Sequence, residues 1–125
     1  MDNVKVIAQR YTDREMTDPN ARIFNIADNI VVGDEGVRAG RMYVGEEFRA
    51  VVITIKPGQA QTVHMHPNTT HAWFVVSGSA EVTMEDGKTD RVKPGVFAVH
   101  PKNSVHGVRN DTDENFTYIA LSIGD

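Results

Sequence analysis

The stretch Gly58-Gln59-Ala60-Gln61-Thr62-Val63-His64-Met65-His66-Pro67-Asn68-Thr69-Thr70-His71-Ala72-Trp73-Phe74-Val75-Val76-Ser77-Gly78 carries both the folding pattern and the chemistry of this chain. On a β-strand successive side chains point to opposite faces, so His64 and His66 share one face. Two imidazoles two residues apart form a natural pair of metal ligands. Pro67 cannot donate to a sheet ladder and stops the strand, and Pro67-Asn68-Thr69-Thr70 is turn-prone. His71 then opens a second β-prone run, Ala72-Trp73-Phe74-Val75-Val76, which brings a third imidazole beside the pair.

The same beat of short β-prone runs and turns extends outward in both directions. The expected strands are Arg22–Ile26, Val37–Val44, Phe48–Ile55, Gln61–His66, His71–Val76, Ala80–Glu85, Asp90–Val92, Val96–His100, Val105–Asn110 and Phe116–Ile123. Between them lie Gly33-Asp34-Glu35-Gly36, Gly45-Glu46-Glu47, Pro57-Gly58, Ser77-Gly78, Asp86-Gly87 and Pro94-Gly95, where glycine supplies positive φ and proline pre-sets the corner. No segment sustains the apolar i, i+3, i+4, i+7 pattern of a helix. Many short strands without intervening helices predict an all-β fold, an antiparallel sandwich or barrel, in one domain spanning 1–125. Residues 1–20 read as an N-terminal arm that pairs with another subunit's sheet edge and so covers an otherwise exposed strand.

Composition narrows the function classes. The chain has 125 residues, 40% hydrophobic and 24% charged, enough for one real core and ordinary for a folded domain. A net charge of −4 gives no electrostatic reason to expect nucleic acid or an acidic membrane surface as a partner. There is no cysteine, so any metal must be held by nitrogen and oxygen ligands. No apolar run is long enough to span a bilayer, and the start, Met-Asp-Asn-Val-Lys, lacks signal-peptide character. A cytoplasmic location is the default expectation. All five histidines fall between positions 64 and 106, and that clustering requires a reason.

The opening stretch resembles the first cupin motif, G-x5-H-x-H-x(3,4)-E-x6-G, with every spacing in agreement and His71 standing where the family usually has Glu. The segment from Gly95 through Pro101, Asn103 and His106 to Asn110 resembles the second motif, G-x5-P-x-G-x2-H-x3-N. Its one departure is Asn103 for Gly, and Asn is the next-best residue for a left-handed turn. Ser79–Pro94 separates the two motifs, which suits a single hairpin. The resemblance implies a small double-stranded β-helix barrel of jelly-roll type, with a divalent transition metal inside its open end and pairing into a homodimer. Carried over by position, His64, His66 and His106 match the family's histidine ligands, and His71 stands at the carboxylate position.

The exchange at His71 alters the charge of such a centre. Four neutral imidazoles leave the dipositive charge of an ion uncompensated, which favours an anionic ligand such as a carboxylate or enolate. Imidazoles suit Fe, Mn, Ni, Cu, Co or Zn, and Fe or Mn fits the dioxygenases that an all-histidine centre resembles. The alternative is that His71 faces elsewhere, leaving a three-histidine centre like that of the acetylacetone-cleaving dioxygenases. His100 has two readings, a pocket acid or base and an exposed histidine at a strand end. Under strict alternation Thr62 lies with His64 and His66 while Gln61 and Val63 lie opposite, and Trp73 and Val75 lie with His71. Arg49, Arg41 and Tyr43 are candidates for binding or acting on a substrate carboxylate across the opening, set against a solvated outer face. Asn110 reads as a turn cap.

Two classes of function follow. One is a metal-dependent enzyme on a small anionic or carbonyl compound, by dioxygenase-type cleavage or by non-redox lyase, isomerase or decarboxylase chemistry. The other is a non-catalytic small-molecule-binding protein.

Overall fold

The computed structural model describes residues 4–6, 18 and 20–124. Its strands are β1 (Lys5–Val6), β2 (Arg38–Val44), β3 (Phe48–Ile55), β4 (Ala60–Met65), β5 (Thr69–Ser77), β6 (Ala80–Thr83), β7 (Thr89–Val92), β8 (Phe97–His100), β9 (Val105–Arg109) and β10 (Phe116–Gly124). They form two five-stranded sheets, ordered β1-β4-β9-β6-β7 and β2-β3-β10-β5-β8. All pairings are antiparallel except the short parallel one of β1 with β4. Successive strands β3, β4, β5 and β6 alternate between the sheets, so the chain winds around one shared core. This is the expected all-β double-stranded barrel.

The core follows the period of two. From β3 come Val51, Ile53 and Ile55, from β5 Trp73 and Val75, and from β10 Phe116, Tyr118 and Ala120. Val82, Val92 and Val108 meet them from the facing sheet. β3 is buried on both faces, because a second cluster of Met42, Ala50 and Val52 lies on its outside under Phe24, Ile26 and Tyr43.

The segment Arg22–Ile26, expected as a strand, instead covers this outer face without joining a ladder and leads into a one-turn 3-10 helix, Ala27–Asn29. The reason is local. Asn25 Oδ1 accepts from the Ala27 N–H at 3.1 Å, and Asn29 Nδ2 donates to the Asn25 carbonyl at 2.8 Å. Such side-chain bonds compete with sheet pairing. The turn packs so closely on β2 that a Cβ at Gly40 would lie 1.6 Å from the Asn29 carbonyl oxygen, which explains a glycine inside a strand.

Most of the N-terminal arm lies outside the described residues; its Lys5 and Val6, expected on another subunit's sheet edge, instead pair with His64 and Met65 of the same chain. No helix among the described residues is long and apolar enough to cross a membrane.

Candidate metal centre

β4 and β9 run side by side with His64 opposite His106, so period-two alternation on two paired strands delivers three imidazoles to one spot. The ligand atoms of His64, His66 and His106 all lie within 4.8 Å of one another, and all three residues are buried. His71 and His100 come from the facing sheet, where they oppose each other in the β5–β8 ladder. The His71 ring stacks on His66 with centroids 4.2 Å apart, and its centroid is 5.6 Å from that of His106. It therefore borders the three-histidine group rather than falling within its tightest circle.

The second motif's turn is tied to the first. Asn103 adopts φ 67°, the left-handed conformation expected of it, and its N–H donates to the His66 carbonyl at 2.8 Å. Asn110 is fully buried and caps its turn as expected. Its Nδ2 donates to the carbonyls of Ile55 and Glu114, and its Oδ1 accepts from the N–H and hydroxyl of Thr112.

Burial disfavours the charged form of three of these rings. It pushes His71 down to about 3, helped by the neighbouring His66, His64, His100 and Arg49. Burial likewise lowers His106 to about 2 and His100 to about 4, the latter partly offset by Glu85. Neutral imidazoles are what a metal requires. His64 Nδ1 lies 2.6 Å from the Thr62 carbonyl oxygen, a contact that places the proton on Nδ1 and leaves Nε2 as the donor. Buried nitrogens on three rings, His71 Nε2, His100 Nε2 and His106 Nδ1, have no hydrogen-bond partner among the described residues. A cluster of imidazole nitrogen donors with buried atoms left unsatisfied fits a divalent transition metal.

The centre opens into a cavity of about 690 Å³, with His64, His66, His71 and Trp73 in its wall. Arg41 and Lys5 add cationic lining, Gln61, Thr62 and Ser122 polar groups, and Val51, Ile53 and Ala120 an apolar side. The remaining candidates fall elsewhere. Arg49 is only 5% exposed and lies near enough to His71 to disfavour its protonation, but it is not part of the cavity wall. Tyr43 faces outward, stacked on Phe48 at 4.9 Å, because a β-bulge between Arg41 and Tyr43 breaks the alternation. Its expected place across the opening is thereby corrected. His100 is buried rather than exposed at a strand end: it stacks on His106 at 4.4 Å and meets Trp73 edge-on at 4.3 Å, behind the cavity wall. Gln61, expected on the opposite face, lines the cavity beside Thr62, because a second bulge lies between Gln61 and His64. Lys5 was not legible, since only β1 pairing puts it beside His64.

Fold and centre together define a small jelly-roll barrel with a cluster of buried histidines that could hold a metal. The cupin-domain family matches residues 51–123, more than half of the chain, and the chain belongs to that family. Mannose-1-phosphate guanylyltransferase 2 of Escherichia coli is 31% identical over 81 residues, 65% of this chain and 17% of that protein. Oxalate decarboxylase OxdC of Bacillus subtilis is 30% identical over 83 residues, 62% of this chain and 21% of that protein. This chain thus spans only about a fifth of the length of either relative. Among solved structures, a conserved protein with a double-stranded β-helix domain from Klebsiella pneumoniae superposes with TM-score 0.79 at 26% identity, covering 82% of this chain and 90% of that one.

Proposed function

We propose that this chain is a metal-dependent enzyme acting on a small organic acid or carbonyl compound, with dioxygen-dependent cleavage of a carbon–carbon bond as its reaction class. The observation that carries this reading is that the buried imidazoles open into a cavity. A structural metal site is closed by its protein ligands, whereas a catalytic site keeps a position for substrate. His64, His66 and His106 would hold the ion, with His71 as the fourth donor; its Nε2 is buried and unsatisfied and its ring adjoins His66. Iron or manganese bound there would supply Lewis acidity and a redox couple suited to dioxygen.

The protein's own groups do the rest. An ion held by four imidazoles would keep its positive charge, which would favour a carboxylate or enolate as ligand. Arg41 and Lys5 add to that attraction, and Trp73, Val51, Ile53 and Ala120 displace water from one side of the ligand. Both atoms of one dioxygen molecule end in the two fragments, so no outside reductant is consumed.

The test is to load the protein with Fe(II) and Mn(II) in turn and offer β-diketones, unsaturated uronates and aryl alkenes. The expected result is oxygen uptake, with labelled dioxygen appearing in both products. Turnover without oxygen uptake would move the protein to non-redox lyase, isomerase or decarboxylase chemistry. Tight binding of such compounds without turnover would make it a binding protein.

A further inference from the structure

The cavity wall also holds an uncharged pair that the centre does not use. Tyr118 is fully buried, packed on Trp73 and Phe116, and its hydroxyl donates to Gln61 Oε1 at 3.1 Å. Burial raises the phenol pKa, so the hydroxyl keeps its proton and needs an acceptor. Gln61 Oε1 is that acceptor, and the hydrogen-bond network thereby fixes which end of the amide faces Tyr118. The Nε2 end is left to donate. Gln61 is half-buried and lines the cavity, three residues before His64 on the same strand, or about 10 Å along it.

We infer that Gln61, held by Tyr118, is a specificity-determining residue whose amide donates to a second oxygen acceptor of the ligand, so that the cavity selects acids with two separated oxygen functions. Lys5 and Arg41 line the same cavity and favour an acceptor that carries charge, which makes dicarboxylates and keto acids the fitting class. Tyr118 is a positioning residue in this arrangement. The inference rests on the cavity being the ligand site, and not on the reaction carried out there.

Calorimetry on the full chain loaded with Mn(II) tests it, using succinate and glutarate against butyrate and valerate. The wild type is expected to bind the dicarboxylates more tightly. Gln61→Leu should lose about tenfold or more of dicarboxylate affinity, the usual size of a lost bond to a charged acceptor. Its monocarboxylate affinity and metal stoichiometry should hold, while its melting temperature falls by a few degrees because the buried Tyr118 hydroxyl loses its acceptor. Gln61→Glu keeps the shape and should lose still more, by charge repulsion. Tyr118→Phe frees the amide to turn, and is expected to lower the ratio of dicarboxylate to monocarboxylate affinity without changing the monocarboxylate value, which a merely damaged cavity would not do. An unchanged ratio in the Gln61 variants, an equal loss for both acid types, or no binding of any of these acids would overturn the inference. Intact selectivity with no turnover on any substrate would sink the enzyme reading alone.

Discussion

The two ends of the barrel are built by the same strands and have opposite characters. Along the inward face of β5 the residues run His71, Trp73, Val75; along β9 His106, Val108; along β3 Arg49, Val51, Ile53, Ile55; along β10 Ser122, Ala120, Tyr118, Phe116. One end gathers histidines and a serine at a cavity, with Arg49 close to His71. The other is closed by Ile55, Val75, Ala80, Val82 and Phe116, each at most 2% exposed. The closed end stabilises by burial of apolar surface. The open end buries polar rings whose nitrogens lack partners, which costs stability until something binds them. Stability and function are therefore separated along every strand, and a substitution should affect one or the other according to its height in the barrel.

The largest expected effect is at the open end. His66→Ala or His106→Ala should abolish stoichiometric metal, and the rise in melting temperature on adding Fe(II) or Mn(II) should vanish with it. Full occupancy by elemental analysis in both variants would remove the centre from this protein. At the closed end, Phe116→Ala should cost about 3–5 kcal/mol in denaturant unfolding, while the protein that stays folded keeps its metal. Loss of metal at retained stability would erase the contrast between the ends.

Acid should separate the ends next. His71, His100 and His106 have native pKa values near 3, 4 and 2, against an ordinary value of 6.5. Between about pH 6.5 and 4 the unfolded chain binds protons at these positions and the native chain does not. Stability is thus complete above about pH 6.5 and falls on acidification, by up to about 1.4 kcal/mol per pH unit for each histidine. A metal-free melting temperature that stays flat from pH 7.5 to pH 5 would contradict this.

His71→Ala is expected to weaken metal binding on the order of 10–100-fold without abolishing it, the scale of groups that support a metal. Competition with a calibrated chelator measures this, and an unchanged affinity would reduce the centre to three histidines. Smallest is the turn joining the two motifs. Asn103→Ala should cost about 1 kcal/mol because of the positive φ there, whereas Asn103→Gly should be close to neutral; equal losses for the two would show that the backbone angle is not what matters.

Strict alternation carried the sequence reading far and failed at two identifiable places. His64 and His66 share a face, as their spacing requires, and Asn103 takes the glycine-like angle for which it was singled out. Gln61 and Tyr43 were misplaced because each lies beside a β-bulge, where one extra residue reverses the phase of the side chains. A bulge leaves no mark in a pattern of residue types. His100 gave no local sign of burial either, because what buries it is Trp73 and His106 on other strands.

What the sequence by itself determined here is whatever depends on neighbours in the chain. That covers the strands and most of their turns, the barrel class, and four histidines at motif spacing. Only the tertiary structure decided which side chains meet. It set His64, His66 and His106 within one small circle with His71 at its edge, turned Tyr43 outward, sealed His100 behind the wall, and aimed Gln61 into the cavity through Tyr118. The physical reason is that a period of two fixes a side chain's face only while the ladder is regular. Distances between strands in opposite sheets depend on how the whole barrel closes.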